Sequence, residues 1–275
     1  MSSSLIIQTD ALTKVFGRGR RRKVAVNELN LHIEPHQVYG FLGVNGAGKT
    51  TTLRMILGLM RPTNGRAYVF GKDIQQHPSV LKRVGAMVEG ATFYPYLSGW
   101  HNLMVVGRSM NGFDAKIAEQ LLEQLGIANA KRVKFRAYST GMKQRLGIVA
   151  ALLHNPDLII LDEPTNGMDP AGIREMRHFI RELAHVHGKT VFLTSHLLSE
   201  VQATCDRLAI IHQGVLRREG TLDELLNQES VIEAEVSPIE RAEAVLQANW
   251  RTERFSDNTL HIYATKENTP AIVYQ

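Results

Sequence analysis

The sequence predicts an α/β fold with parallel strands, because two short apolar runs lead into segments that are typical of a ligand site. The run 37–42 is largely apolar and enters a glycine-rich loop, and the run 158–161 is apolar, partly β-branched and followed by two acids. Both runs are typical of buried strands in a parallel sheet. Ligands of open α/β sheets bind at the carboxyl ends of such strands. We therefore expect the loop and the acids to belong to one site.

The glycine-rich loop matches G-x-x-x-x-G-K-[ST], the pattern of a phosphate-binding loop. Its glycines let several backbone N–H groups point into one concavity, and the segment 49–60 is predicted to form a helix whose N-terminus favours anions. Lys49 is expected to reach the β- and γ-phosphates of a nucleoside triphosphate, and the Thr50 hydroxyl to hold Mg²⁺. The predicted nucleotide-binding residues here are Gly43, Val44, Asn45, Gly46, Ala47, Gly48, Lys49, Thr50 and Thr51.

The two acids after the second apolar run are Asp162 and Glu163. Asp162 is expected to complete the Mg²⁺ shell. Glu163 points to the other face of the strand by the period of two and is positioned to polarise an attacking water. Two acids at a strand end also occur in solvated turns. Beside a phosphate loop, however, they favour hydrolysis of the bound nucleotide, with Lys49 and Glu163 as catalytic residues.

A third motif, 138–145, precedes the apolar helical segment 146–153. Ser139 can cap that helix, and the small residues leave its N-terminus open to an anion. Taken with the other motifs, the segment resembles the signature of ATP-binding cassette (ABC) ATPases, commonly L-S-G-G-Q. Ser139 and Gly141, whose positions contact the γ-phosphate in that family, are retained. Three positions depart from the common pattern: Tyr138, Thr140 and Met142.

The resemblance runs from about residue 5 to about residue 227 and implies further site residues. The segment 166–170 looks like the family's D-loop, with Asp169 at its acidic position. His196 directly follows a predicted strand and sits at the switch-histidine position, where imidazole would hydrogen-bond the γ-phosphate and orient the water. Phe16 occupies the position at which the family stacks an aromatic ring on adenine. Burial in the core is the alternative for Phe16.

Glu89 lies in the segment 84–90, which is predicted to be a strand ending in a loop, and stands where most ABC ATPases have a glutamine that contacts Mg²⁺ and the loop facing the membrane subunit. Glutamate keeps the acceptor oxygen and adds a negative charge near Mg²⁺ and three phosphates. This form, with the segment 93–103, resembles exporters that protect Gram-positive bacteria from lantibiotics and bacitracin-type peptides. We therefore expect Glu89 to contact metal and nucleotide and to tune coupling to the permease. A substitution without consequence is the alternative.

The resemblance implies an ABC cassette of the P-loop NTPase class, with a RecA-like α/β core, an antiparallel β subdomain and a helical subdomain at about 73–155. Helix candidates in that subdomain are 100–110 and 115–125. We predict an ABC ATPase domain at 1–228 and a small α+β accessory region at 229–275. The accessory region has a predicted strand at 231–236, a helix at 240–249 and a strand at 259–264, and its last residues look like the opening of a second helix. That is about half of a ferredoxin-like unit, which suggests an incomplete end.

Composition limits the class of protein. Of 275 residues, 44% are hydrophobic and 21% charged, which is ordinary for a globular chain with a sizeable core. The sequence has no apolar run of about 18 residues and no signal-peptide pattern at 1–4. A single cysteine, Cys205, excludes an internal disulfide and suits a reducing compartment. We expect a cytoplasmic protein, peripheral on the inner face of the cell membrane.

The net charge of +5 comes largely from the basic run 18–23, which lies between two predicted strands. A solvated hairpin tip is the first interpretation, attraction to anionic lipid headgroups the second and nucleic acid the last. The run has no interleaved aromatic residues of the kind that stack on bases. Nucleic acid is therefore not an expected partner.

The resemblance also implies the partners and the activity. Two copies, or this chain and a related cassette, would pack head to tail so that each ATP lies between Lys49 of one copy and Ser139 of the other. The implied function is the ATP-hydrolysing subunit of an exporter, which powers efflux of a drug or antimicrobial peptide through a separate integral-membrane permease. The alternative is a soluble ABC ATPase that acts on ribosomes or nucleic acid, although the chain lacks a second cassette and a long coiled-coil insertion. A regulator that never hydrolyses would be expected to lack Glu163.

Overall fold

The structure, a computed structural model, describes residues 5–90, 92–110, 112–226, 230–256 and 258–264. The chain divides into two compact units, one that ends at Glu219 and one that begins at Gly220. This division falls earlier than the boundary we place after residue 228, and that domain assignment stays a prediction.

The first unit is built on two sheets. Its strands are β1 (Ile7–Phe16), β2 (Lys23–Leu29), β3 (His32–Ile33), β4 (Val38–Leu42), β5 (Asn64–Val69), β6 (Lys72–Asp73), β7 (Val84–Met87), β8 (Leu158–Asp162), β9 (Thr190–Ser195), β10 (Arg207–His212) and most of β11 (Val215–Thr221), whose last two residues fall past the division. Its α-helices are α1 (Lys49–Ile56), α2 (Gly99–Ser109), α3 (Ala115–Gln124), α4 (Thr140–Leu152), α5 (Pro170–His185) and α6 (Leu198–Thr204).

The larger sheet has six strands in the order β11-β10-β4-β9-β8-β7. Its pairs from β10 to β7 are parallel. Every residue of β4, β8 and β9 is buried, which explains why β4 and the first four residues of β8 read as apolar runs. The predicted α/β fold is confirmed. Since β4, β9 and β8 are neighbouring parallel strands, the three loops that follow their carboxyl ends lie at the same edge of the sheet.

The second sheet is antiparallel and has the order β2-β1-β5-β6, with β3 paired to β1. Its apolar face shares one core with α1 and the larger sheet, to which Ile7, Leu29, Leu53 and Phe41 contribute. The basic run connects β1 to β2, includes the short 3₁₀ turn Gly19–Arg21 and ends at Lys23, the first residue of β2. The expected N-terminal hairpin is therefore present.

The helices α2, α3 and α4 lie between β7 and β8, where the sequence predicts a helical subdomain. Each begins at a capping side chain: Ser98 accepts from the His101 N–H, Asp114 from the Lys116 N–H, and Ser139 from the Met142 N–H. The helix α4 packs against β7, α2 and α3. Its buried residues include Leu146 and Val149. This packing fixes the start of α4, and with it Ser139.

The second unit contains α7 (Leu222–Leu226), β12 (Ser230–Glu235), α8 (Ile239–Leu246), β13 (Arg251–Ser256) and β14 (Thr259–Ala264). Its sheet is antiparallel in the order β12-β14-β13. A small core is formed by Ile239, Leu246, Leu260 and Ile262. The strand β13 was not predicted, because it is an edge strand with polar, mostly exposed residues and lacks an alternating apolar pattern. The predicted opening of a second helix lies outside the described residues.

Two further expectations concern the membrane and the cysteine. Within the described part of the chain, no helix is long and apolar enough to cross a membrane. Cys205 is 6% exposed, and burial raises the pKa of its thiol. A Cβ at Gly40 of β4 would lie 2.8 Å from the Cys205 sulfur atom. The thiol therefore packs closely beneath the central strand.

Candidate functional site

The site begins at the loop between β4 and α1. At one position of this loop, the backbone conformation and the space around it admit only glycine. Gly48 has a φ of 109°, and a Cβ there would lie 2.5 Å from the Ala25 carbonyl oxygen. A side chain would meet both backbone strain and a backbone atom. Lys49, the first residue of α1, is 5% exposed, and its Nζ donates to the Gly43 carbonyl at 2.6 Å. The loop thus curls around its own lysine at the N-terminus of a helix.

Glu163 lies between two basic side chains at the end of β8. Its Oε1 is 3.2 Å from Lys49 Nζ, and its Oε2 is 3.1 Å from His196 Nδ1. The glutamate has a φ of 49°, which is uncommon for a residue with a Cβ. Its backbone N–H donates to Thr194 Oγ1 at 3.0 Å, which supports this conformation. The three predicted catalytic residues are therefore in direct contact.

A second cluster joins α1 to β8 and β9. Thr50 Oγ1 donates to Asp162 Oδ2 at 2.8 Å, and Thr194 Oγ1 donates to Asp162 Oδ1 at 2.6 Å. Asp162 is 8% exposed and Thr194 is fully buried. Sequence reasoning missed Thr194, which holds Asp162 through its proton and Glu163 through its lone pair. No local sequence signal identifies Thr194, because it becomes a neighbour of Asp162 only when β8 and β9 pair.

A cavity of about 260 Å³ opens beside the loop. Phe16 lies at this cavity and is 40% exposed, so it is not a core residue. The amine of Lys14 lies 5.4 Å from the centre of the Phe16 ring. The lining residues are Phe16, Lys23, Ala25, Asn45, Gly46, Gly48, Lys49, Thr50, Thr51 and Glu163. An aromatic ring at one side and a lysine with loop backbone at the other match the two ends of a nucleotide.

The remaining loop residues of the prediction do not line this cavity. Gly43 and Ala47 are buried, and the Val44 side chain is 59% exposed. A Cβ at Gly43 would lie 2.6 Å from the Ile211 carbonyl oxygen. Gly43 and Ala47 therefore shape the loop against β10.

The donor atoms fit a polyphosphate and a hard divalent cation. Among the described residues, there is no group of three or more His, Cys, Asp or Glu side chains that could hold a metal on its own. The Thr50 hydroxyl and the Asp162 carboxylate offer hard oxygens, and Mg²⁺ commonly takes one or two carboxylates together with phosphate oxygens and water. The chemistry of this corner thus fits Mg²⁺ that arrives with a nucleotide.

Ser139, Gly141 and Asp169 lie elsewhere on the first unit. They line a cavity of about 370 Å³ that shares no lining residue with the one beside the phosphate loop. Ser139 caps α4, and Asp169 caps α5 by accepting from the Gly172 N–H at 3.3 Å. Arg145 fixes this surface through Glu175 at 2.7 Å. One chain therefore presents the predicted nucleotide-binding residues on two separate surfaces.

The surroundings of Glu89 differ from those predicted for a residue that contacts metal and nucleotide. Its side chain is 56% exposed and forms an ion pair with Arg54 of α1. It does not line the cavity beside the phosphate loop. The contact of Glu89 with metal and nucleotide stays a prediction.

Comparison with known proteins places these observations in one family. The family model described as ABC transporter matches residues 26–166. The bacitracin transport ATP-binding protein BcrA of Enterococcus faecalis is 39% identical over 267 residues, covering 96% of this chain and 85% of the relative. The daunorubicin/doxorubicin resistance ATP-binding protein DrrA of Streptomyces peucetius is 39% identical over 223 residues, covering 80% of this chain and 66% of the relative.

Solved structures agree on the fold. The ATP-binding subunit of an ABC transporter is 26% identical and superposes with a TM-score of 0.70, covering 80% of this chain and 91% of that one. A dimeric ATP-binding cassette in a post-hydrolysis state with ADP and Pi is 24% identical, with a TM-score of 0.72 over 78% of this chain and 98% of that one. The predicted cassette fold is confirmed. The chain belongs to the ABC transporter family, as an ATP-binding subunit.

Proposed function

We propose that this subunit powers the efflux of a drug or antimicrobial peptide through an integral-membrane permease carried on a separate chain. The observation that carries the hydrolytic part is the contact of Glu163 with both Lys49 and His196. The export part is supported by relatives named for bacitracin transport and for daunorubicin/doxorubicin resistance. The similarity to the bacitracin protein covers 96% of the chain and so reaches into the second unit. The subunit would work peripherally, on the inner face of the cell membrane.

Nucleotide binding would use the cavity beside the phosphate loop. Phe16 would stack on adenine, since its ring is exposed there. The backbone N–H groups around Gly46 and Gly48 would hold the phosphates together with the N-terminus of α1. The Lys49 amine, which now contacts Glu163 at 3.2 Å, would turn to the β- and γ-phosphates. This exchange frees the Glu163 carboxylate for its catalytic role.

Hydrolysis would proceed by in-line attack of a water on the γ-phosphate. Glu163 would orient and polarise that water. His196 would donate a hydrogen bond to the γ-phosphate, with its imidazole already 3.1 Å from Glu163. When bound, Mg²⁺ supplies charge neutralisation at the β- and γ-phosphates. Thr50 and Asp162 would hold it, and Thr194 would keep Asp162 oriented through its 2.6 Å hydrogen bond.

A dimer would complete the site. Ser139 and Gly141 lie on a surface separate from the phosphate loop, so they reach a γ-phosphate only if it is held by another chain. We propose a head-to-tail pair, formed with a second copy or with a related cassette, in which Asp169 lies at the interface. ATP would then bind both chains together, and its hydrolysis would let them separate.

The test is a pull-down with Glu163→Gln as bait, in the presence of ATP, from detergent-solubilised cells of the source organism. Slow hydrolysis keeps the ATP-bound form populated long enough to retain its partner. We expect recovery of a polytopic membrane protein, and the same bait carrying Lys49→Ala, which lacks the phosphate contact, should recover less of it. Recovery of ribosomes or nucleic acid without a membrane protein would overturn the proposal in favour of a soluble ABC ATPase.

A further inference from the structure

We infer that Arg54 is a positioning residue for nucleotide binding and that it acts through Glu89. The two side chains form an ion pair between Arg54 Nη2 and Glu89 Oε1. Arg54 lies on α1, the helix that begins at Lys49, whereas Glu89 lies just after β7. The pair therefore ties the loop after β7 to the phosphate-binding helix. The inference rests on the proposed function, which places the phosphates of ATP at the N-terminus of α1.

The backbone at Glu89 points to a role for its side chain. Glu89 has a φ of 61°, and Gly90 after it has a φ of 81°. Glycine or asparagine adopts this left-handed conformation more readily than glutamate. The local backbone thus gives no reason for glutamate at this position. What glutamate adds here is a carboxylate, which is turned to the guanidinium of Arg54.

Electrostatics explains what the pair does for the reaction. Arg54 lies on the helix whose N-terminus would hold the phosphates, so an unpaired Glu89 carboxylate beside that helix would repel an incoming nucleotide, whereas the positive charge of Arg54 offsets this repulsion. The side chains of Arg54 and Glu89 are 34% and 56% exposed. Ion pairs this exposed stabilise a fold very little. The effect of Arg54 should therefore be seen in ATP affinity and not in the stability of the protein.

This reasoning predicts coupling between the two positions. Arg54→Gln should weaken ATP binding about three- to tenfold, because it leaves Glu89 unpaired. The loss should be larger without Mg²⁺, since the metal otherwise offsets the charge of the phosphates. In the Glu89→Gln background, position 89 carries no carboxylate, so replacing Arg54 leaves no negative charge unpaired. Its effect there should be less than about twofold.

The experiment is a double-mutant cycle on the full chain. Equilibrium dissociation constants for ATP are measured for the wild type, Arg54→Gln, Glu89→Gln and the double variant, at low salt, once with Mg²⁺ and once with EDTA. Arg54→Lys should keep the wild-type affinity because it keeps the positive charge. Arg83→Gln is the matched control, since Arg83 forms another exposed ion pair, 2.8 Å from Asp157. Thermal unfolding should be similar for all these variants.

Two outcomes would overturn the inference. Either Arg54→Gln leaves ATP affinity unchanged, or it weakens binding equally in the presence and absence of the Glu89 carboxylate. The wild-type titration tests the proposed nucleotide site independently. If the wild type binds ATP and Lys49→Ala does not, the nucleotide site stands. Absence of coupling between Arg54 and Glu89 then contradicts only the role of Arg54. If the wild type does not bind ATP, the proposed site fails as well.

Discussion

At the scale of single residues, Glu163 has the strongest link between geometry and reaction. Its carboxylate contacts both Lys49 and His196, and glutamine keeps its shape without its charge. We expect Glu163→Gln to lower ATP turnover about 10²- to 10⁴-fold, the range typical for loss of a general base. ATP binding should be retained, because the phosphate loop is unchanged.

The measurement is steady-state phosphate release, paired with an ATP-binding titration of the same protein preparation. Glu119→Gln is the control, since Glu119 is also an acid in an ion pair, with Lys131 at 2.5 Å, but lines neither of the two cavities. A Glu163→Gln protein that hydrolyses ATP at the wild-type rate would remove Glu163 from the catalytic role.

Thr194 carries a second prediction at this scale. Its buried hydroxyl donates to Asp162 at 2.6 Å and accepts from the Glu163 N–H at 3.0 Å. Thr194→Val keeps the shape and leaves both groups without this partner, so we expect a loss of about 1–3 kcal/mol in the free energy of unfolding together with slower turnover. Thr194→Ser keeps the hydroxyl and should recover most of the turnover. Urea unfolding and phosphate release would show this, and a valine variant with wild-type values of both would contradict it.

At the scale of secondary-structure elements, the first residue of α2 packs closely against the segment that precedes α4. Tyr138, one of the departures from the common family pattern, is 4% exposed and donates its hydroxyl proton to the Ala130 carbonyl at 2.7 Å. Gly99, the first residue of α2, faces this hydroxyl so closely that a Cβ would collide with it. The tyrosine therefore packs the helical lobe, and its place in the signature does not require a role in binding.

This packing predicts coupling between Gly99 and Tyr138. Gly99→Ala should cost about 1–3 kcal/mol in the free energy of unfolding, the usual effect of overpacking. In a Tyr138→Leu background the shorter side chain removes the collision, so the same glycine change should cost less. Urea unfolding of the two single variants and the double variant measures the coupling. Equal costs in both backgrounds would show that the hydroxyl is not the obstacle.

The elements also show what the sequence could and could not predict. The phosphate loop and the acids after β8 were predictable because each is a local pattern with its own chemistry, and the continuous apolar runs marked their strands. Thr194 was missed, since a threonine in a buried strand is ordinary until the pairing of β8 with β9 places it beside Asp162. The Arg54–Glu89 pair joins distant parts of the chain. Contacts of this kind depend on tertiary structure, which no local spacing encodes.

At the scale of the whole molecule, the two separate surfaces make assembly the decisive question. Ser139 caps α4 through its side-chain oxygen, and aspartate and asparagine cap helices about as well as serine. The two residues have similar size and differ in charge. Ser139→Asp would bring a carboxylate to the γ-phosphate held by the other chain, whereas Ser139→Asn would not. This pair of variants separates repulsion of the nucleotide from damage to the helix.

We expect the Glu163→Gln protein to dimerise when ATP and Mg²⁺ are added, with its mass by light scattering rising from the 30.8 kDa of one chain to about twice that value. Adding Ser139→Asp should leave it monomeric, because like charges repel at short range in a site that excludes water. Adding Ser139→Asn should preserve at least part of the dimer. ATP binding by the monomer should be similar in all three proteins, since the phosphate loop lies on the other surface. If the aspartate variant dimerises as well as the asparagine variant, Ser139 does not face a phosphate, and the head-to-tail arrangement is wrong.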